Sequence, residues 1–368
     1  MKPKSKASSA DDLKEARKEL QNAQQLYRNG EYRDSLKAAE AIYTKSPSTA
    51  VLILLGAIHF QLRNLSESIF YSQQCLRIES NCAEAYCTMG NCLKEMNDLD
   101  SAVNFFKKAI RYNPRFADAY NNLGIALFLS LAPQEAIDTF QVATSLEFSH
   151  CDALCNIGSV YKVIGKFNDA KEKFLEAIRI NPQCAIGWSN LGGIFNDNGD
   201  FEQAVTCYHH AIKIMPNGFA DAISNSGNAL YNLGKESKDE SLIHEAAERY
   251  RKALELRSDF ALCRGCFGLF CLETGLKSNE EANKQLRQAI LQDDTNFDAM
   301  NNLAASYYTE GRLDDSLKLC LRVLKRKPNH WCAYNNLGNV LKDKVSVSLC
   351  HCLSLYLPHA ISFQPPSS

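Results

Sequence analysis

The sequence predicts an all-α solenoid in which antiparallel helix pairs stack one after another. Three observations lead to this prediction. Glycine recurs at one constant spacing, at Gly56, Gly90, Gly124, Gly158 and Gly192. In the last four of these units an alanine, an aromatic residue and a second alanine follow the glycine at constant offsets, and proline closes three of the four. A fixed period of this length marks a repeat architecture, in which each unit buries its apolar face only against its neighbours.

Each unit is predicted to hold a helix A with the glycine and a helix B with the alanines and the aromatic residue. Small residues let the two helices approach, the aromatic residue is expected to fill the space between units, and proline stops helix B. The units are predicted at 16–48, 49–82, 83–116, 117–150, 151–184, 185–219, from 220, from 261, at 297–330 and, with helix A alone, from 331. The unit from 220 is longer because of the polar stretch KESKDES (235–241), which we expect in the loop between its helices.

The chain is thus expected to have three segments. Residues 1–15 are a polar, disordered N-terminus, residues 16–343 form a solenoid of about nine and a half repeats, and residues 344–368 are a tail outside the repeat pattern. Because the register stops at Lys344, we hypothesise that the tail is a translated intron or an alternative end, and that the gene continues into further repeats and a catalytic region. A membrane anchor in the tail is disfavoured by its serines, histidines and proline.

The composition of the chain disfavours some classes of binding partner. The 41 basic and 42 acidic residues nearly balance, and no run of lysine and arginine is long enough for nucleic acid. We expect neither nucleic acid nor a membrane as a partner, and a homo-oligomer stays open. The N-terminus lacks the apolar core of a signal peptide. Most of the 15 cysteines fall in repeat helices, where a free cysteine packs as a small apolar residue, so we expect a reduced chain in the cytoplasm, the nucleus or both.

Polar residues also recur in register. Counted from the start of helix A, position 6 is asparagine in six units: Asn122, Asn156, Asn190, Asn225, Asn302 and Asn336. Position 2 is acidic in five: Glu84, Asp118, Asp152, Asp221 and Asp298. In four units the acid and the asparagine coexist at i and i+4 and therefore share one helix face.

The six asparagines and four aspartates are the predicted peptide-binding residues. An amide both donates and accepts hydrogen bonds, so it can pair with the backbone of an extended polypeptide whatever the side chains of that polypeptide are. The carboxylates would favour basic or hydroxyl groups. A structural role is the alternative, with the aspartates favoured by the helix dipole and the asparagines bonding them. Clamping of a chaperone's carboxyl terminus is disfavoured, because position 5 carries no lysine or arginine beside an asparagine at position 9.

Signals of enzyme chemistry are missing from the repeats. There is no phosphate-binding loop, and the helical period leaves no room for a parallel sheet. Cys263 and Cys266 with Cys271 could indicate a metal, but no second thiol pair has zinc-finger spacing, so packing is favoured. His209 and His210 are expected at the surface. We predict no catalytic residue, no metal and no cofactor.

The glycine, alanine, aromatic and proline pattern resembles the tetratricopeptide repeat. Several stretches resemble, more narrowly, the N-terminal repeats of the O-linked N-acetylglucosamine (O-GlcNAc) transferases: SNLGGIFNDNGDFEQAV (189–205), ADAYNNLGIAL (117–127), VLILLGAIHFQLRNLSESI (51–69) and HWCAYNNLGNVLKDK (330–344). The resemblance covers about residues 16–344. It implies that the asparagines hold acceptor polypeptides whose serines and threonines receive the sugar from UDP-N-acetylglucosamine. Nothing here matches that family's catalytic domains, so we predict that this chain alone is inactive; a non-enzymatic scaffold or adaptor is the alternative.

Overall fold

A computed structural model describes residues 10–45, 47–147 and 150–356. Within these residues the chain forms 19 helices and no strand, so the predicted all-α repeat fold is confirmed. The helices are α1 (Ala10–Arg28), α2 (Tyr32–Lys45), α3 (Thr49–Gln61), α4 (Leu65–Ile78), α5 (Ala83–Glu95), α6 (Leu99–Tyr112), α7 (Ala117–Leu129), α8 (Pro133–Leu146), α9 (Cys151–Val163), α10 (Phe167–Ile180), α11 (Ala185–Asp197), α12 (Phe201–Ile214), α13 (Ala220–Ser237), α14 (Glu240–Leu256), α15 (Ala261–Thr274), α16 (Asn279–Gln292), α17 (Phe297–Thr309), α18 (Leu313–Arg326) and α19 (Trp331–Tyr356).

Odd-numbered helices are the A helices and even-numbered helices are the B helices. From the second unit onward, each A helix begins at the residue where the sequence placed the start of a unit. Contacts divide the chain into two compact parts, one up to Asn190 and the other from Leu191. The A helices contact each other in succession from α1 to α9 and again from α13 to α19, whereas no two successive B helices within either part do, among the described residues. Each part, taken by itself, therefore curves with its A helices on the inner side.

The repeated glycine and the repeated aromatic residue are partners within one unit. In α7, a Cβ built on Gly124 would lie 2.6 Å from Cε1 of the Phe140 ring, which α8 presses against the helix A backbone. Equivalent pairs are Gly90 with Phe106, Gly158 with Phe174, Gly192 with Tyr208 and Gly227 with Tyr250. We expected this ring in the space between units, and the structure also places it against the glycine of its own unit, where a side chain would collide with it.

Three units use a second way of packing helix A on helix B. In them the residue at the ring position is small: Ala39, Ser72 or Cys320. A buried serine replaces the first alanine of helix B, and its hydroxyl donates to the carbonyl at the glycine position: Ser35 to Ala23 (2.8 Å), Ser68 to Gly56 (2.7 Å) and Ser316 to Ala304 (2.7 Å). Helices A and B of a unit thus pack closely in two alternative ways: an aromatic ring lies against a glycine, or a serine donates a hydrogen bond to the helix A backbone.

The polar stretch 235–241 does not form a loop, and that expectation was wrong. It lengthens both helices of its unit: α13 has 18 residues where α7 has 13, and α14 has 17 where α8 has 14. Lysine and glutamate are good helix formers, so the stretch continues the helix. Only Lys238 and Asp239 turn the chain; Lys238 has a φ of 58°, and Asp239 accepts a hydrogen bond from the Ser241 amide at 2.9 Å as the N-cap of α14.

The turn between helices A and B needs one residue with a left-handed backbone. That residue is Gly30, Arg63, Asn97, Leu131, Gly165, Gly199, Lys238, Gly275 or Gly311. Leu131 is the least suited, because its φ is 61° and its side chain is 89% exposed, so it bears the strain without burial.

Replacing Leu131 with glycine is expected to stabilise the chain by about 1 kcal/mol, since glycine adopts this backbone conformation without a Cβ clash. Urea unfolding of the full chain measures the change. The same substitution at Leu129, the last residue of α7, is the matched control, and Leu129→Gly should destabilise. A loss of stability for Leu131→Gly would contradict the interpretation.

The two ends of the array differ from the predicted segments in their helical boundaries. Helix α1 begins at Ala10, inside the segment 1–15, and residues 1–9 lie outside the described residues. Helix α19 continues past Lys344 to Tyr356, and residues 357–368 lie outside the described residues. In the part of the chain that the structure describes, no helix combines the length and hydropathy needed to span a bilayer.

Candidate functional site

The position-6 asparagines, which we call the asparagine ladder, are half-buried on the A helices. They are Asn122, Asn156 and Asn190 in the first part and Asn225, Asn302 and Asn336 in the second. The A helices lie on the inner side of each part, and a half-buried amide there is held in place yet still reachable. This is the geometry that a polar contact surface needs.

Three ladder asparagines bridge neighbouring units. Asn156 donates through Nδ2 to Oδ1 of Asn121 at 2.9 Å, and Asn336 donates in the same way to Asn301 at 2.9 Å. Asn122 donates to the Cys87 sulfur at 3.6 Å. In each case the acceptor is position 5 of the preceding A helix. Asn336 also donates to the Asn301 backbone carbonyl at 3.4 Å. Asn122 and Asn156 each use one N–H in these bridges, and all three bridging amides keep their oxygen available for other partners.

The other three ladder asparagines, Asn190, Asn225 and Asn302, make no side-chain hydrogen bond within the described part of the chain. For Asn302, position 5 of the preceding A helix is Gly265, which has no side chain to accept. For Asn190 it is Cys155, whose sulfur faces Cys184 instead. Their donors and acceptors are therefore all available for a bound partner.

The predicted aspartates are mostly paired within the chain. Asp118 lies 3.3 Å from Nε2 of His150, and Asp298 lies 3.4 Å from Nε2 of His330. Arg257 donates two hydrogen bonds to Asp221, at 2.9 and 3.2 Å. None of the four predicted aspartates makes a hydrogen bond to the asparagine four residues later. No contact in the described residues therefore supports the alternative in which the asparagines bond the aspartates.

The two histidines also cap the next A helix. Nδ1 of His150 accepts from the Ala153 amide at 3.3 Å, and Nδ1 of His330 accepts from the Ala333 amide at 3.1 Å. With Nδ1 as an acceptor, the proton that faces the aspartate sits on Nε2. The Asp118 carboxylate raises the pKa of His150, and the His150 contact lowers the pKa of Asp118. These carboxylates hold the junction between two repeats.

Asp152 is the exception among the predicted aspartates. It is exposed and makes no hydrogen bond or ion pair within the described residues. The residue before the next A helix is His150 in the unit of Asp118 but Cys184 in the unit of Asp152, and the Cys184 sulfur faces Cys155. Of the four predicted aspartates, Asp152 is therefore the carboxylate that is free to meet a partner.

The cysteines suspected of metal binding pack in the core. Cys263 and Cys271 are buried in α15, and burial raises the pKa of each thiol to about 11. Among the described residues, no group of three or more histidine, cysteine, aspartate and glutamate side chains could hold a metal ion. Thirteen cysteines are free thiols in the same residues.

The sequence analysis did not predict the position-5 acceptors or the capping histidines, although both have a recognisable sequence pattern. Adjacent asparagines, as in Asn121 with Asn122 and Asn301 with Asn302, place a ladder amide and an acceptor for the next unit side by side. An aspartate at position 2, with a histidine directly before the A helix of the next unit, marks the junction pair, as in Asp118 with His150.

Fold and site together define a helical-repeat protein whose A-helix face carries a regular row of amides. Comparison with known families agrees. A model described as TPR repeat matches residues 90–130, and a model described as tetratricopeptide repeat matches residues 20–74, 155–214 and 275–330. Together these stretches cover more than half of the chain, which belongs to the tetratricopeptide-repeat family.

Two curated relatives match locally. A stretch of 77 residues is 36% identical to the probable UDP-N-acetylglucosamine–peptide N-acetylglucosaminyltransferase SEC of Arabidopsis thaliana, covering 21% of this chain and 8% of that protein. A stretch of 74 residues is 35% identical to the UDP-N-acetylglucosamine–peptide N-acetylglucosaminyltransferase of Caenorhabditis elegans, covering 20% and 6%. The chain thus matches less than a tenth of the length of either relative.

Among solved structures, the crystal structure of the APC/C hetero-tetramer Cut9–Hcn1 resembles the chain with a TM-score of 0.63 and 16% sequence identity. The similarity covers 81% of this chain and 56% of that chain. At this identity the similarity concerns the fold alone.

Proposed function

We propose that the A-helix face binds extended polypeptide segments of other proteins through the asparagine ladder. The observation that carries the proposal is the state of the ladder amides: six are half-buried in register, and three of them have no hydrogen-bonding partner in the described chain. Leaving a partly buried amide unpaired costs free energy, so such a row favours a ligand that supplies donors and acceptors at regular intervals. An extended peptide backbone is such a ligand.

The charge beside the ladder refines the kind of peptide. Asp118 and Asp298 contact His150 and His330, and Asp221 is paired with Arg257, so we assign these aspartates mainly to the junctions between repeats. Asp152 keeps an unpaired carboxylate one turn from Asn156. We propose that a basic or hydroxyl side chain of the bound peptide meets Asp152, while the amides contact the backbone.

The test separates the two kinds of ladder asparagine. Asn190→Ala and Asn302→Ala remove amides without internal partners, so each should leave the unfolding midpoint unchanged and weaken peptide binding about fivefold, the equivalent of one net hydrogen bond of about 1 kcal/mol. Affinity is measured for peptides selected from a random display library against the full wild-type chain. Asn156→Ala should lower both stability and affinity, because it also breaks the bridge to Asn121.

An exposed asparagine on a B helix, Asn104, supplies the control, and Asn104→Ala should change neither property. Unchanged affinity in both Asn190→Ala and Asn302→Ala, with selected peptides that still bind the wild type, would reject the ladder as the peptide site and leave it a structural feature.

A narrower proposal concerns the origin of these peptides. The local identity to two peptide N-acetylglucosaminyltransferases supports a role like that of the acceptor-recognition repeats of protein O-GlcNAc transferase, presenting polypeptides whose serines and threonines are glycosylated. We assign no sugar-transfer residue to this chain. A location in the cytosol or nucleus accompanies the proposal and is supported by the free thiols of the described residues, which a reducing compartment maintains.

A further inference from the structure

Two cysteines lie in contact at the junction between two repeats in the first part of the chain. The Cys155 sulfur on α9 lies 3.7 Å from the Cys184 sulfur, which immediately precedes α11. A disulfide bond is about 2.05 Å long, so the two sulfurs need to approach by only about 1.7 Å. Both side chains are buried: Cys155 is 1% exposed and Cys184 is 6% exposed.

The surroundings make the two sulfurs unequal. Cys184 occupies the helix-capping position, and its sulfur accepts from the Gly187 amide at 3.4 Å. The hydrogen bond from Cys155, followed by that backbone amide, lowers the pKa of Cys184, while the same contact raises the pKa of Cys155. Asp152 is the nearby carboxylate that opposes the lowering at Cys184. Because the Gly187 amide donates to it, Cys184 is the sulfur better placed to carry a negative charge, and we assign it as the nucleophile with Cys155 as its partner.

A glycine, Gly187, lies directly beside the two sulfurs. Position 3 of helix A is a buried alanine in most units: Ala85, Ala119, Ala153, Ala222, Ala299 and Ala333. Here it is Gly187, and a Cβ at that point would lie 3.3 Å from the Cys184 sulfur and 3.6 Å from the Cys155 sulfur. Because Gly187 has no side chain, the backbone at the start of α11 can lie close to both sulfurs.

We propose that Cys155 and Cys184 are a peroxide-oxidisable dithiol, a modification site that closes to a disulfide between α9 and the start of α11. The Cys184 thiolate attacks one oxygen of hydrogen peroxide, the O–O bond breaks, and the leaving hydroxide takes up a proton as water. The resulting sulfenic acid is attacked by the Cys155 sulfur; the S–O bond breaks, and a second water leaves with the Cys155 proton. Two thiols lose two electrons and the peroxide gains them; a small dithiol reverses the change.

A second thiol pair in the chain is the internal comparison. Cys75 and Cys82 also contact each other, and Cys82 occupies the same position before its A helix as Cys184 does. Burial raises the pKa of both thiols, and at Cys82 it outweighs the backbone amide of Ala85, which lowers the pKa; the Cys82 sulfur also donates to Glu84 at 3.6 Å. We therefore expect this pair to react with peroxide more slowly than Cys155 and Cys184.

Formation of the disulfide would affect the asparagine ladder. Asn156 follows Cys155 on α9 and Asn190 lies on α11, so the bond would fix the spacing of two ladder amides within the first part. That consequence rests on the proposed function, whereas formation of the disulfide does not.

The experiment treats the reduced full chain with increasing hydrogen peroxide at neutral pH, alkylates the remaining thiols and maps cross-linked peptides by mass spectrometry. The Cys155–Cys184 peptide should appear at about tenfold lower peroxide than any other cysteine pair, because its sulfurs are already in contact and one of them accepts from a backbone amide, and dithiothreitol should remove it. Cys184→Ser keeps an oxygen to cap the helix and should abolish the cross-link. Gly187→Ala keeps both thiols but crowds them and should slow closure.

The map of the wild-type chain decides the outcome even where a variant fails to fold. Cys184 recovered as sulfinic acid beside an alkylated Cys155, or a Cys75–Cys82 cross-link forming first, would overturn the proposal and leave the pair a packing contact.

Discussion

Replacing Gly124 with alanine is expected to destabilise the chain by about 2–3 kcal/mol, which is the cost of forcing an extra group into a filled core. The new Cβ would meet three atoms of the Phe140 ring at 2.6 to 2.9 Å, and that ring is 1% exposed and has nowhere to move. Urea unfolding of the full chain measures the loss, and amide hydrogen exchange should locate it in α7 and α8, because contacts in a repeat array join only neighbouring elements.

The control for this substitution lies in the chain itself. Gly338 has the same register position in α19, but in the described chain no atom lies within 4 Å of a Cβ built there. Gly338→Ala should therefore be neutral or stabilise by up to about 1 kcal/mol through helix propensity.

A second variant tests the cause of the loss. In a Phe140→Cys background, Gly124→Ala should cost almost nothing, because Ala304 and Cys320 already occupy these two positions in another unit. An equal loss with and without the ring would show that the ring is not what requires glycine.

Replacing His150 with leucine is expected to cost about 2 kcal/mol, because it removes an N-cap and leaves the Ala153 amide unpaired. The contact with Asp118 is lost at the same time. His150→Asn should retain most of the stability, since Asn296 caps α17 in the same register by accepting from the Ala299 amide at 3.0 Å. Thermal unfolding of the three proteins, read by circular dichroism, ranks them.

The exposed His244 on α14 is the control, and His244→Leu should change stability by less than about 0.5 kcal/mol. If His150→Asn were as damaging as His150→Leu, the cap would not be what the imidazole contributes, and the contact with Asp118 would have to account for the loss.

Much of this fold could be predicted because the determining interactions lie within one period. A helix A start such as Ala117 or Cys151 follows from the spacing of glycine and alanine alone. The stretch 235–241 was misplaced because the repeat pattern predicts where a unit can grow but not whether the added residues stay helical; that depends on the propensities of lysine and glutamate and on the cap at Asp239.

The site could be predicted less well. The ladder asparagines are visible as a row, but their division into bridging and unpaired members depends on a residue one unit earlier. Asn121 accepts where Gly265 cannot, and a pattern read one position at a time does not connect them. The pairing of Asp118 with His150 likewise joins the start of one A helix to the cap of the next.

Contacts confined to neighbouring helices also have a consequence for synthesis. Within the described chain, no helix of either part packs against anything farther away than the second helix along the sequence. Loops of that length close at little entropic cost, so low contact order favours rapid folding. Each helix pair can consolidate as soon as it leaves the ribosome, against the pair made just before it, and a nascent chain of this kind need not wait for its carboxyl end.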